Sequence, residues 1–227
     1  MSLIKNLFRF LSVNWPVTIY VNFYYFNFMK AIHLPVLIGH NTKIESLGDR
    51  GCIEIRPLFG QLCFGLKGGP FNMGGGNYLY VGKRARLTVE GTCRLAKGIR
   101  LKLFENAELS IGDAFTSNAN MIISCMNSVI IGNDCLVGWE VTILDNDGGH
   151  SISNVDSGII SNETKPVIIG NHCWLSSYVT LLKGSTLSDN CAVGYGTTVV
   201  GKSFHTKNCI VAGNPPKVIK ENINWSH

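Results

Sequence analysis

A six-residue period constrains this chain more than any other feature. From Ile169 the positions six apart are Ile169, Leu175, Leu181, Leu187, Val193, Val199, His205 and Val211, aliphatic in every case but one. Four residues after each start stand Cys173, Val179, Ser185, Cys191, Thr197, Ser203 and Cys209, each small or β-branched. Such a unit specifies a short flat strand and then a corner. The aliphatic side chain fills the interior, and the small one fits where the corner leaves little room. Three units close a triangular coil, and coils stack strand on strand about 4.8 Å apart.

The same pattern recurs upstream as Ile131-Gly132, Val137-Gly138 and Ile143, with Cys135 and Val141 at the offset of four. Before it, Val81, Leu87, Cys93, Ile99, Ile111, Ser117 and Ile123 share a register that Glu105 breaks. The fold expected is all-β: a parallel β-helix over residues 39–213, of roughly eight or nine coils and about 40 Å tall. The 25 glycines suit many tight corners. Of the eight cysteines, four fall on the small repeat position, and no CxxC pair occurs, so they read as reduced core thiols rather than zinc ligands or disulfides. A net charge of +5 without any long run of like charge excludes a protein that tracks a nucleic-acid backbone.

Residues 1–38 form a separate segment, and residues 214–227 a C-terminal tail. The stretch from Leu3 to Ile38 is aromatic and apolar. Arg9, Asn14, Pro16, Asn22, Asn27 and Lys30 interrupt it before the roughly 20 apolar residues that a membrane span needs. Two readings stand open for it: a cap over the open end of the solenoid, or a segment resting on a membrane surface.

After Ile143 the repeat stops. Leu144-Asp145-Asn146-Asp147-Gly148-Gly149-His150-Ser151-Ile152 follows, and coiling resumes near Pro166-Val167-Ile168, so a loop protrudes near residues 144–166. Polar excursions from a regular scaffold usually carry function. His150 is the candidate general base, because a neutral imidazole accepts a proton near neutral pH. Asp145 or Asp147 is the candidate group to orient its ring.

The hexads, the Gly149-His150 pair and the terminal Gly213-Asn214-Pro215-Pro216-Lys217-Val218-Ile219 together resemble the hexapeptide-repeat acyltransferases. The likeness is to the maltose and galactoside type and to capsule and lipopolysaccharide O-acetyltransferases, and it covers most of the chain after about Val81. The resemblance implies a left-handed β-helix, a homotrimer with sites between subunits, acetyl-CoA as co-substrate and no metal. It implies that Asn118, within Phe115-Thr116-Ser117-Asn118-Ala119-Asn120, contacts a saccharide acceptor, with Trp139 as a wall. Ser176, Ser177, Gly194 and Tyr195 would line the pantetheine groove, and Lys202, Pro215 and Lys217 would meet the nucleotide end. Ser177 and Tyr195 stand where the family usually has alanine or glycine, Pro216 replaces an alanine, and the loop to His150 is about two residues longer than in the galactoside enzymes.

The function expected is therefore acetyl-CoA-dependent O-acetylation of a saccharide in surface-polysaccharide or lipopolysaccharide assembly. The absence of a secretory start pattern and the supply of CoA point to the cytoplasm, with membrane association left open. Three alternatives remain: an N-acyltransferase for an amino sugar, a β-helix metal hydratase needing three converging histidines, and a non-catalytic scaffold.

Overall fold

A computed structural model describes residues 10–66 and 75–226. Leu3 and Arg9 of the N-terminal stretch lie outside the described residues. Consecutive strands visit three sheets in turn, which makes each circuit of the chain one triangular coil. The first sheet runs through Val36–Ile38, Leu62–Leu66, Cys93–Ala96, Phe115–Ser117, Leu136–Val137, Trp174–Leu175, Ala192–Val193 and Ile210–Ala212, all parallel. The second begins at Thr42–Leu47 and ends at Thr198–Val199, and the third begins at Ile53–Ile55 and ends at Ser203–Phe204. The fold is a left-handed parallel β-helix whose main core cluster runs down the axis from Val36 to Val211, with a smaller cluster of Val13, Leu37, Cys63 and Leu66 beside it.

Seven strands in each of two sheets give seven full coils and the start of an eighth, fewer than the eight or nine expected. The prism is accordingly about 35 Å tall at 4.8 Å per coil. The difference lies in where residues are spent. Thr42 pairs with Asn77 across a long first connection, and the excursion after Leu144 removes a second block from the coils.

The repeat also slips once. Leu187 stacks on Phe204 rather than on His205, so His205 is exposed and Ser203, at the expected small position, is exposed as well. The corner after Val199 is one residue short. Gly201, with φ +58°, permits that tighter turn, a backbone conformation that side chains disfavour. All eight cysteines are buried and free. Burial pushes the Cys52 thiol up to about 11 and those of Cys93 and Cys125 further, so these three remain protonated packing groups.

The open end of the first sheet is finished by side chains. Helix α1, Trp15–Tyr25, starts at Asn14, whose side chain accepts from Val17 N at 3.4 Å, and has proline in its first turn. Its inward stripe is Thr18, Val21, Asn22 and Tyr25. Asn22 donates to Val36 O at 2.7 Å and accepts from Val36 N at 3.1 Å, while Thr18 Oγ1 accepts from Ile38 N at 3.0 Å. These two side chains satisfy a strand edge as another strand would. A second short helix, α2, Phe28–Ala31, follows, with Asn27 as its cap. At the other end, Lys217–Lys220 turns back antiparallel onto Ile210–Ala212 and closes that edge.

Candidate active site

Because coils stack in register, residues far apart in sequence form columns along each corner. At the corner between the first and second sheets the column is Asn118, Gly138, Ser176 and Gly194, each amide donating to the next coil: Asn118 N to Val137 O at 2.8 Å, Gly138 N to Leu175 O at 2.8 Å, Ser176 N to Val193 O at 3.0 Å and Gly194 N to Val211 O at 2.8 Å. Beside it stand Trp139, Ser177 and Tyr195, with Trp139 N donating to Ser177 Oγ at 3.1 Å. A Cβ on Gly138 would lie 2.5 Å from Ser177 N, so only glycine lets these coils approach.

This column borders a cavity of about 320 Å³ lined by Asn118, Leu136, Gly138, Trp139, Trp174, Ser176, Ser177, Tyr195, Trp225 and Ser226. Five of the residues singled out in the sequence, Asn118, Trp139, Ser176, Ser177 and Tyr195, are thereby brought together. The neighbouring Asn120 has a different job: its amide donates to Glu140 in the next coil and forms a corner ladder, which leaves Asn118 as the asparagine that faces the cavity. Leu136 and Trp225 are not signalled by the sequence. Outward positions of a strand, and a residue 53 positions away from its hydrogen-bond partner His172, carry no periodic signal.

The structure places Lys202 and the terminal motif elsewhere, at the C-terminal end of the prism. Asn214 extends the column by accepting from Thr198 N at 2.8 Å and donating to Gly196 O at 3.0 Å, and the Asn214-Pro215 peptide is cis. Lys202 Nζ reaches Pro216 O at 3.5 Å, while Lys217 is exposed on the closing strand. This end presents two ammonium groups around a proline turn, in the same sense along the axis as Gly194 and Tyr195.

His150 lies at another corner, between the second and third sheets, on the loop after Thr142–Leu144, and it is exposed. Neither expected carboxylate orients its ring within the chain. Asp145 is fully buried, and its oxygens accept from Met126 N at 2.7 Å, Asn127 N at 2.6 Å and Ser128 N at 2.8 Å, completing the corner of the coil beneath. Asp147 pairs with Lys183 Nζ at 2.5 Å and accepts from Asn162 Nδ2 at 3.0 Å. The Lys183 ammonium, then the Asn162 amide, hold the Asp147 carboxyl below its ordinary range. Asn162 also donates to His150 O at 2.7 Å and accepts from Ile152 N at 2.7 Å, so it staples both arms of the loop. Asp147 is therefore linked to His150 through Asn162 and the backbone. Asn162 and Lys183 escape sequence reasoning because nothing local marks a polar residue across a loop as a clamp.

Among the described residues, the histidines that a metal site would have to gather are dispersed. His172 is tied to Asp134 and Trp225, and His205 is exposed beyond the shortened corner. Within one chain the cavity and His150 thus occupy different corners of the triangle, separated by the second sheet.

No family model matches the chain. It is 35% identical over 171 residues to a polysialic acid O-acetyltransferase of Neisseria meningitidis, covering 67% of this chain and 77% of that protein. It is 30% identical over 131 residues to a putative lipopolysaccharide biosynthesis O-acetyl transferase, WbbJ, of Escherichia coli K12, covering 55% of this chain and 66% of the relative. Coverage of other relatives is lower, 64% of a 24.8 kDa protein from the cps region of Klebsiella pneumoniae and 39% of a polysialic acid O-acetyltransferase of E. coli, so the chain spans less than two thirds of several of the proteins it matches. Among solved structures, the polySia-specific acetyltransferase NeuO superimposes with a TM-score of 0.50 at 26% identity, over 68% of this chain and 76% of that one.

Proposed function

We propose, from the premise that this chain belongs to the hexapeptide-repeat acetyltransferase family, that it moves an acetyl group from acetyl-CoA to a hydroxyl of a surface polysaccharide or lipopolysaccharide saccharide. The observation that carries this reading is the cavity, in which an amide, serine hydroxyls and aromatic walls converge along one corner, a lining suited to an extended thioester arm. Backbone groups and the hydroxyls of Ser176 and Ser177 would bind that arm, and Lys202 and Lys217 would neutralise phosphates at the C-terminal end. Asn118 is suited to hold the acceptor, since an amide both donates to and accepts from sugar hydroxyls.

His150 then takes the acceptor's proton as its oxygen attacks the thioester carbonyl. A C–O bond forms, the C–S bond breaks when the tetrahedral adduct collapses, and the imidazolium returns the proton to the departing thiolate. No covalent enzyme intermediate is needed. Since His150 and the cavity sit at different corners, a complete site takes its base from one copy and its cavity from a neighbour, which argues for a homotrimer closing three such sites.

No helix among the described residues is long and apolar enough to cross a membrane. Peripheral contact is part of the proposal. The outward stripe of α1, Ile19, Tyr20 and Phe23, continues into Phe28, Met29 and Ile32, all exposed, and the chain has no acidic residue before Glu45. An apolar segment whose own charges are all basic suits the surface of an anionic bilayer, where lipid-linked saccharides are built.

The test is transfer of radiolabelled acetyl from acetyl-CoA to capsular and lipopolysaccharide glycans. The wild type should label them with base-labile ester, and His150→Ala should not. Label on a free amine, stable to base, would move the assignment to N-acylation.

A further inference from the structure

After Lys220 the chain closes no further sheet, yet it does not leave the surface. It runs back along the corner between the third and first sheets, where Asp134, His172, Asn190 and Asn208 stack with positive φ. Ile223 N donates to Asn208 O at 2.9 Å and Asn208 Nδ2 donates to Ile223 O at 3.3 Å. Two coils earlier the exchange repeats. The Trp225 indole donates to His172 O at 2.8 Å, and His172 Nε2 lies 3.1 Å from Trp225 O. The two rings stack with centroids 4.2 Å apart and planes 12° from parallel. His172 is itself fixed by Asp134, whose carboxylate lies 2.6 Å from Nδ1.

These contacts deliver one indole to one place. Trp225 is buried, and it borders the same cavity as Trp139, Trp174, Ser177 and Tyr195, with its ring 6.3 Å from that of Trp174. We infer that Trp225 is a specificity-determining wall of this cavity, set by His172 as a positioning residue, and that it limits the size of the acyl–pantetheine end the cavity accepts. The inference rests on the reading of the cavity as the donor site. A stacked ring held by reciprocal hydrogen bonds cannot swing aside without breaking them, so a longer acyl chain meets a rigid surface. In such a pocket each added methylene changes discrimination by about tenfold or more.

The test is steady-state kinetics of wild type, Trp225→Ala, Trp225→Phe and His172→Ala with acetyl-, butyryl- and hexanoyl-CoA, each variant first checked for wild-type circular dichroism and sedimentation. Trp225→Ala should raise KM for acetyl-CoA about tenfold while kcat changes less, and should narrow the preference for acetyl over hexanoyl by at least that factor. His172→Ala should move both quantities the same way, and Trp225→Phe, which keeps an aromatic wall, should restore most of the preference. Variants that fold and keep the wild-type KM and chain-length preference would overturn the inference and leave the transferase reading standing. A wild type that accepts no acyl-CoA at all would remove the reading on which the inference depends, and the inference with it.

Discussion

Replacing Asp145 with alanine separates a structural carboxylate from a catalytic one. Its side chain is completely buried and receives three backbone N–H groups, from Met126, Asn127 and Ser128, at 2.6 to 2.8 Å. Hydrogen bonds to a buried charged acceptor contribute about 1.5 kcal/mol or more each, and stranded donors cost roughly 1–3 kcal/mol apiece. Some of those donors will find water once the carboxylate is gone, so a loss of about 3–5 kcal/mol is expected. For a chain of this size that corresponds to roughly 10 °C in Tm. Asp145→Asn keeps one oxygen but turns an amide donor toward the corner, and about half the loss is expected. Differential scanning calorimetry gives Tm, and acetyl transfer assayed well below the transition gives activity. The reasoning predicts a large fall in Tm with specific activity within a few-fold of wild type. An unchanged Tm accompanied by a hundredfold loss of kcat would refute it and return Asp145 to the role of ring orienter.

Gly138→Ala should cost about 1–3 kcal/mol and weaken acetyl-CoA binding, because the new methyl meets the backbone nitrogen of Ser177 at 2.5 Å; urea denaturation and calorimetry read the two effects. The clamp on the His150 loop should depend on pH in one direction. The Asp147 carboxyl is held low by Lys183 and Asn162, so its stabilisation is present above the unfolded carboxylate range and lost as pH falls through the lowered value. Proteolytic nicking between residues 147 and 162 should therefore rise only under acid conditions, and Asp147→Asn should nick at neutral pH. Vesicles of anionic phospholipid should sediment the protein at low salt and release it when Ile19, Phe23 and Phe28 are all changed to serine, whereas neutral vesicles should bind it poorly; equal binding of the serine variant would discard the membrane-facing end.

Legibility of the fold follows coil size. Beyond Ile169 the column partners Asn171 and Asp189 are 18 residues apart, three hexads, and the six-residue template stays in step there until the short corner after Val199. Upstream, partners lie 20 apart at Asp113 and Asn133 and 22 apart at Arg84 and Asn106, and the strands carry two inward residues each, as at Leu87 and Val89 or Leu101 and Leu103. A period of six drifts against such coils, which is why the pattern fades toward the N-terminus although the solenoid does not. The slip at His205 was invisible because a glycine corner absorbs one residue without altering composition. In the site, corner residues were legible since each follows a recognisable strand end. Asp145 faces the backbone of the coil below, and in sequence a carboxylate beside a loop histidine looks the same whether it faces that backbone or the ring. Trp225 and Asn162 depend on contacts across many residues, and only the folded chain brings them to the cavity and the loop.

The most direct test of the account is calorimetric binding of acetyl-CoA to wild type, His150→Ala and Lys217→Ala. The account predicts stoichiometric binding to the wild type, the same affinity for His150→Ala, whose imidazole acts only on the acceptor's proton, and weaker binding for Lys217→Ala. No detectable binding to the wild type would contradict it, because the cavity would then have lost its donor and the chain its place in the proposed reaction.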